Sequence, residues 1–130
     1  METTNIKSVF QGSNYTTEIS NGNHQIISDE PTTDGGQDQG FNPFELILAA
    51  LATCTTATLK MYADRKGWEI FTLNISLTLL EQGNTQEIKT TIEVKGNISE
   101  DQKKRLLIIA KKCPVHQLLS KVNQIDNSIK

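Results

Sequence analysis

Apolar and polar residues alternate along the second half of the chain, in a stretch that a polar turn at 81–84 interrupts. The alternation within residues 69–95 has a period of two, with Phe71, Leu73 and Leu77 in one apolar series before the turn. A period of two is typical of strands that bury one face. The pattern therefore predicts two strands within residues 69–95, joined as a hairpin.

Shorter strand-like runs occupy residues 5–29. Asn21-Gly22 lies between two of these runs, and this dipeptide is a strong hairpin signal. The next segment, 30–41, is polar, contains glycine and lacks apolar periodicity. We expect it to be a mobile loop.

One long helix is predicted over residues 42–66. Asn42 suits the N-cap, Pro43 the first helical position and Gly67 the C-terminal stop. Apolar or small residues occur on every face of its middle, as in helices that are surrounded by protein. This segment is therefore predicted to be the central core helix.

A second helix is predicted over 99–112, because Ser99 and Gln102 have capping-box spacing. Pro114 interrupts it and can start a new turn, which makes Cys113 the N-cap of a short helix within 113–119. The apolar face of the second helix holds Leu106, Leu107, Ile109 and Ala110. The tail from Val122 to Ile129 could add an edge strand.

Length and charge narrow the function classes. The 130 residues fit one domain, 1–130, and 13 basic against 15 acidic side chains give a net charge of −2. The charges are interspersed, so nucleic acid and anionic membranes are poor candidate partners. The N-terminus lacks a basic region followed by an apolar run, and no 18 consecutive residues are apolar, so a soluble cytoplasmic protein is expected.

Two cysteines, Cys54 and Cys113, are the main candidates for chemistry. In a reducing compartment they are expected to be thiols, and their spacing suggests neither a metal site nor a cofactor. Cys54 alone is more simply explained as a small buried hydrophobe. Cys113 faces unpaired N–H groups at a predicted helix start, which favours a thiolate, although a cysteine can also precede a proline turn without function.

Three further side chains could support such thiols, and each also has a structural explanation. His116 lies one helical turn after Cys113 and could carry a charge or a proton, or simply be a surface residue. Arg65 could supply a permanent cation, or could interact with the dipole of the long helix. Glu45 could pair with an arginine, but with Asn42 it also has capping-box spacing.

Three segments together resemble the OsmC/Ohr family. They are residues 40–55 (GFNPFELILAALATCT), 61–68 (MYADRKGW) and 113–116 (CPVH). The second segment is most similar to the YhfA-like branch. The resemblance implies an α+β, OsmC-like fold with a long central helix and antiparallel sheets, in which two chains intertwine as a homodimer with active sites at their interface.

The resemblance also implies a function. Cys54 matches the peroxidatic thiol and Cys113 the resolving thiol of a thiol peroxidase, an antioxidant oxidoreductase of the oxidative stress response that reduces organic hydroperoxides. Dithiols such as lipoyl groups would return the Cys54–Cys113 disulfide to thiols. A second hypothesis is a non-catalytic redox-sensing module, or one that binds hydrophobic ligands, on the same fold. A third treats both cysteines as core filler.

Two departures from the family pattern concern the charges near the site. Family members carry an arginine in the N-terminal strands, but Lys7 and His24 are the basic side chains before Lys60 here. The family glutamate directly follows the helix-start proline, whereas Glu45 comes one residue later, about 100° further around the helix. These departures imply either that the peroxidase machinery is weak or that Arg65 or His116 replaces the missing cation.

Overall fold

The computed structural model describes residues 2–130, in which the chain forms two compact units. The first ends at Ile47 and the second begins at Leu48. Three short strands in the first unit, β1 (Lys7–Phe10), β2 (Thr17–Ser20) and β3 (Gln25–Ser28), form an antiparallel sheet in the order β1-β2-β3. The predicted hairpin at Asn21-Gly22 is confirmed.

The turn of this hairpin is made by local hydrogen bonds. Asn21 Oδ1 accepts from the backbone N–H groups of Asn23 and His24, at 2.9 and 2.8 Å. Gly22 has φ +100°, a conformation that glycine adopts without steric cost. These contacts set the register in which Ser20 pairs with Gln25.

Asp29 organises the segment that follows β3, which sequence patterns predict to be a mobile loop. The Asp29 side chain is 2% exposed. Its carboxylate accepts from the Thr16 hydroxyl at 3.1 Å and from the N–H groups of Glu30, Gln37 and Gln39 at 2.8–3.2 Å. Although desolvation raises it, the pKa of Asp29 lies below its ordinary value because of these donors. The segment, which includes a 3₁₀ turn at Thr32–Asp34, is therefore tethered and not free.

Helix α1 runs from Pro43 to Lys66, as the sequence predicts. Gly67, with φ +72°, donates to the Asp64 carbonyl, and Trp68 donates to the Ala63 carbonyl, which is the Schellman arrangement of helix ends. The prediction that protein surrounds this helix on all sides is wrong for the single chain. Its buried residues form one stripe at four-residue spacing: Leu51, Thr55, Leu59 and Ala63.

Strands β4 (Glu69–Gln82) and β5 (Thr85–Asn97) form the predicted antiparallel hairpin. A register shift between Ile70 and Thr72 changes which side chains face the core. Because the shift works as a β-bulge, Ile70 and Leu73 both pack on the core and Phe71 is 65% exposed. The assignment of Phe71 to the buried series is therefore wrong.

Helices α2 (Glu100–Ala110) and α3 (Pro114–Leu119) follow the hairpin. The predicted capping box of α2 is present, with Ser99 and Gln102 each bonded to the other's backbone N–H. Leu59, Leu106 and Ile109 form the buried core of the second unit. Leu107 is 59% exposed, so its assignment to the apolar core face is wrong. Around the core pack half-buried side chains of β4, β5 and α2: Ile70, Leu73, Ile92, Val94 and Ala110.

The tail after α3 forms no strand in the described structure, so the predicted edge strand at 122–129 is wrong. Val122 and Ile129 are fully or almost fully exposed in the single chain.

Helix α1 is also long and apolar enough to cross a membrane by length and composition alone. Core helices of non-membrane proteins pass the same test, so one such helix is weak evidence for a membrane span. The evidence for a membrane span is weakened further by four charged residues in the last two turns of α1: Lys60, Asp64, Arg65 and Lys66.

Candidate functional site

The second unit brings the two cysteines together. Cys54 lies on α1 and is half-buried, whereas Cys113 is the N-cap of α3 and has 0% exposure. Both are free thiols, and they lie close enough for each to shift the pKa of the other. The fold thus brings together two residues that lie far apart in the chain.

Local backbone geometry positions the Cys113 sulfur. Pro114 occupies the first turn of α3, as the sequence predicts. The Cys113 side chain then takes the capping position and accepts a hydrogen bond from the backbone N–H of His116 at 3.4 Å. The N–H of Val115 also lies within reach of both sulfurs.

The surroundings shift the pKa values of the two thiols in opposite directions. Burial acts to raise the pKa of Cys113, but donors around its sulfur, led by the Cys54 thiol and the His116 N–H, hold it below its ordinary value. Burial raises the pKa of Cys54, and its interaction with Cys113 raises it further. The favoured arrangement at intermediate pH is therefore a Cys54 thiol beside a Cys113 thiolate, two groups that titrate as one pair.

Two threonines of α1 complete this environment, and sequence patterns did not single them out. Thr58 lies one helical turn after Cys54, within reach of its sulfur. Thr55 lies within reach of Cys113, and its hydroxyl is also 2.8 Å from the Leu51 carbonyl oxygen. A hydroxyl has one proton, so Thr55 can donate to one of these acceptors at a time. The four-residue spacing of Cys54 and Thr58 was the one available sequence signal.

The predicted supporting residues do not contact the sulfurs with charged groups. His116 contributes its backbone N–H to Cys113, and no bond from its imidazole to either sulfur occurs within residues 2–130. Glu45 and Asn42 form the reciprocal capping box, with both bonds at 2.9 Å. The structural explanation of Glu45 is therefore confirmed. Arg65 lies in the last turn of α1, where it faces a cleft.

This cleft has a volume of about 330 Å³ and is lined by residues from α1, α2 and the start of α3. Three cationic side chains line it: Arg65, Arg105 and Lys112. We call it the basic cleft. Its other lining residues are Thr58, Met61, Tyr62, Ile109 and Pro114. A larger cavity of about 480 Å³ in the same unit lies between β5 and α2, away from the cysteines.

Tyr62 lies among the cations of the basic cleft. Arg105 Nε donates to its hydroxyl at 3.2 Å, and the Lys66 ammonium lies 5.7 Å from its ring centre. The hydrogen bond from Arg105 lowers the pKa of Tyr62, and the charges of Arg105, Lys66 and Lys112 add to this effect. The surrounding cations thus make the electrostatic potential at the Tyr62 hydroxyl positive.

Comparison with known proteins identifies the family. The family model described as OsmC-like protein matches residues 36–127, a span that includes α1 and both cysteines. The chain belongs to the OsmC-like family. An OsmC-like protein from Mycoplasma pneumoniae has a similar solved structure, with TM-score 0.80 and 25% identity over 93% of this chain and 89% of the other.

Other structural relatives of this OsmC-like protein carry names that refer to organic hydroperoxide resistance. The OsmC protein of Legionella pneumophila is 18% identical with TM-score 0.66, over 92% of this chain and 90% of that one. OhrB of Bacillus subtilis is 19% identical with TM-score 0.61, over 90% of each chain. A search of curated proteins gave no match. The α+β, OsmC-like fold expected from the sequence is confirmed.

Within residues 2–130, no group of three or more His, Cys, Asp or Glu side chains is arranged to hold a metal ion.

Proposed function

We propose that this OsmC-like protein is a thiol peroxidase that reduces organic hydroperoxides. The observation that carries the proposal is the Cys54–Cys113 pair, two neighbouring free thiols whose pKa values shift in opposite directions, so that the site favours one thiolate. Membership of the family and the hydroperoxide-resistance names of its structural relatives support the same function.

The proposed reaction has two chemical steps on the protein. The Cys54 sulfur attacks the terminal oxygen of ROOH, the O–O bond breaks, and the products are a Cys54 sulfenic acid and the alcohol ROH. The Cys113 thiol then attacks the Cys54 sulfur, which forms the disulfide and releases water. One hydroperoxide is reduced by two electrons, which the two thiols supply.

Accessibility supports Cys54 as the attacking thiol. Cys54 is half-buried, whereas Cys113 is fully buried and a peroxide cannot reach it without movement. The lowered pKa of Cys113 does not conflict with this order. A Cys113 thiolate can accept the Cys54 proton along their contact, which ionises Cys54 as it attacks and leaves Cys113 as the thiol needed for the second step.

The cycle needs a reductant and a suitable compartment. A dithiol, such as a dihydrolipoyl group, can reduce the disulfide by two successive thiol–disulfide exchanges and become a cyclic disulfide. We further propose a cytoplasmic location, because cytosolic reductants keep thiols of this kind reduced.

A homodimer is the proposed working form. The uncovered surface of α1 supports it, since Phe44, Ile47 and Met61 on this helix are 53%, 43% and 62% exposed in the single chain. Phe44 and Ile47 lie one helical turn apart, so they are neighbours on the helix surface, and exposed apolar patches mark interaction sites. Light scattering during size-exclusion chromatography should give the mass of two chains, and Met61→Lys should shift the protein toward one chain. A wild-type protein with the mass of one chain would refute the dimer.

Stopped-flow oxidation tests the peroxidase. Reduced protein is mixed with cumene hydroperoxide, and free thiols are counted after the reaction. We expect both thiols to disappear together in the wild type. Cys54→Ser should abolish the reaction, whereas Cys113→Ser should react once and then become over-oxidised in excess peroxide. Survival of both wild-type thiols in excess peroxide would refute the proposal.

A redox-sensing or ligand-binding module on the same fold is the second candidate. One observation favours it: within residues 2–130, no Arg, Lys or His side chain forms a hydrogen bond to either sulfur. A thiolate without a cation is less stabilised, which slows reaction with peroxide. Slow thiol oxidation together with tight retention of an apolar ligand, detected by native mass spectrometry, would favour this candidate over the peroxidase.

A further inference from the structure

The turn between β2 and β3 contains the one Asn-Gly pair of the sequence, Asn21-Gly22, and both residues are exposed. An asparagine side chain can be attacked by the backbone nitrogen of the next residue, which closes a succinimide ring and releases ammonia. Glycine at the second position permits this most readily, because it has no side chain to obstruct the ring closure. The hydrogen bonds of the turn involve the groups that this reaction uses.

The side-chain carbonyl of Asn21 is the group that would be attacked. Its Oδ1 atom accepts from the backbone N–H groups of Asn23 and His24, at 2.9 and 2.8 Å. This oxygen takes up negative charge when a nitrogen adds to the carbonyl carbon. Donors that already point at such an oxygen stabilise the charge as it develops. The turn therefore activates the Asn21 amide toward attack.

The backbone nitrogen of Gly22 is the attacking group. Its N–H donates to the Ser20 hydroxyl oxygen at 3.0 Å, so the proton that this nitrogen must lose already faces an acceptor. A Cβ atom built on Gly22 would meet nothing within 4 Å. The nitrogen thus lies in open space, where water can take up the proton.

The amide nitrogen of Asn21 is the leaving group. In the part of the chain that the structure describes, this Nδ2 atom donates no hydrogen bond to another protein group. The corresponding atom of Asn14, by contrast, donates to the Gly35 carbonyl oxygen at 2.8 Å. No contact with the protein therefore holds the Asn21 nitrogen in place when its bond to carbon breaks.

We propose that Asn21 is a site of spontaneous deamidation, at which the Gly22 nitrogen displaces ammonia from the Asn21 side chain. The bond between the Gly22 nitrogen and Asn21 Cγ forms, the Cγ–Nδ2 bond breaks, and the departing nitrogen leaves as ammonia with the proton that Gly22 loses. Water then opens the succinimide at one of its two carbonyls, which gives aspartate or isoaspartate. Water is the one co-reactant, and the inference is independent of the thiol pair.

The isoaspartate product should loosen the sheet of the first unit. It routes the main chain through the former side chain and adds a methylene group to the turn, whose present geometry pairs Ser20 with Gln25. Backbone amides of β2 and β3 should then exchange hydrogen faster than in the unmodified protein, whereas those of β4 and β5 should not change. The two hairpins of one sample are thus compared directly.

Peptide mass spectrometry of the full chain tests the proposal. The protein is kept in warm, mildly alkaline buffer and digested at intervals. Asn21 should gain about 1 Da, the difference between an amide and a carboxylic acid. The gain should appear about tenfold faster than at Asn127, an exposed asparagine followed by serine, because two donors and one acceptor assist the reaction at Asn21. Methylation by an isoaspartyl methyltransferase measures the isoaspartate share.

Three variants separate the turn geometry from the dipeptide. Asn21→Gln moves the carbonyl one methylene away and should abolish the gain at this position. Ser20→Ala removes the acceptor and should slow the reaction by about twofold to tenfold, the effect of one neutral hydrogen bond. Ser8→Ala makes the same change at an exposed position of β1 and should leave the rate unchanged.

Thermal unfolding establishes that each variant is folded before its rate is compared. The inference is overturned if Asn21 gains no mass, or if Asn127 gains mass as early as Asn21. Equal rates in Ser20→Ala and Ser8→Ala would overturn it as well, since the contacts of the turn would then take no part. Conversion at Asn21 that Ser20→Ala slows and Ser8→Ala does not slow supports it.

Discussion

Cys54 and Cys113 are neighbours in the fold, and the two thiols shift each other's pKa in opposite directions. Because Cys113 has the lowered pKa, the pair should lose its first proton below the ordinary range of cysteine. The rate of reaction with peroxide should therefore fall as the pH decreases through this first ionisation.

Removing Cys113 tests this coupling. In Cys113→Ser the remaining thiol is Cys54, whose pKa burial raises, so the pH profile of the single oxidation should move to higher pH. The ultraviolet absorbance of the thiolate, followed during a pH titration, measures the same change. Thr53→Ala, an exposed position on the same helix, is the control and should titrate like the wild type. Unchanged profiles in Cys113→Ser would mean that the two sulfurs titrate independently.

Glu45 is expected to act as a helix cap and not in the chemistry. A glutamine can keep the bond to the Asn42 N–H, so Glu45→Gln should retain both stability and the rate of thiol oxidation. Asn42→Ala removes the other half of the box and should lower the free energy of unfolding by about 0.5–2 kcal/mol. A folded Glu45→Gln protein with a large loss of peroxide reactivity would show that the carboxylate takes part in the reaction.

Asp29 should make the stability depend on acid pH. Its pKa is lower in the folded than in the unfolded chain, so its contribution is present above the unfolded pKa and is lost as the pH falls below about 4. Asp29→Asn should lower the free energy of unfolding at neutral pH and flatten its decrease in acid, as denaturant titrations at several pH values can measure. Asp38→Asn makes the same charge change at an exposed position. If both variants show the same pH dependence, the buried carboxylate does not cause it.

Leu59 should be among the most sensitive core positions. It has 0% exposure and packs with Leu106 and Ile109. Leu59→Ala should lower the free energy of unfolding by about 2–5 kcal/mol, because the substitution leaves a cavity. Val122→Ala, at a fully exposed position, should change it by less than about 0.5 kcal/mol. Comparable losses in the two variants would place the core elsewhere.

Sequence patterns predicted where α1 begins and ends and where α3 begins, because these limits depend on residues that are close together in the chain. The start of α1 follows from Asn42 and Pro43, and its end follows from Gly67, because caps act through local backbone groups. Cys113 at the start of α3 was predictable for the same reason. The location of Cys54 beside Cys113 came from family resemblance, since contact between distant residues cannot be derived from local pattern.

Features that depend on packing were missed. The bulge beside Phe71 reverses one side chain without any marker in the alternation of the strand. The bond between Tyr62 and Arg105 joins residues 43 positions apart, on two helices whose mutual packing the sequence does not encode locally. Asp29 resembles any other acid in a polar loop until the backbone N–H groups around it are located.

The edge-on packing of Trp68 against Tyr62 has a practical consequence. The ring centres are 5.5 Å apart at 75°, and Trp68 is the single tryptophan of the chain. Its indole emission therefore originates next to the ring whose hydroxyl Arg105 contacts. A change in the contact between Arg105 and Tyr62 should therefore alter the intrinsic fluorescence of the unlabelled protein.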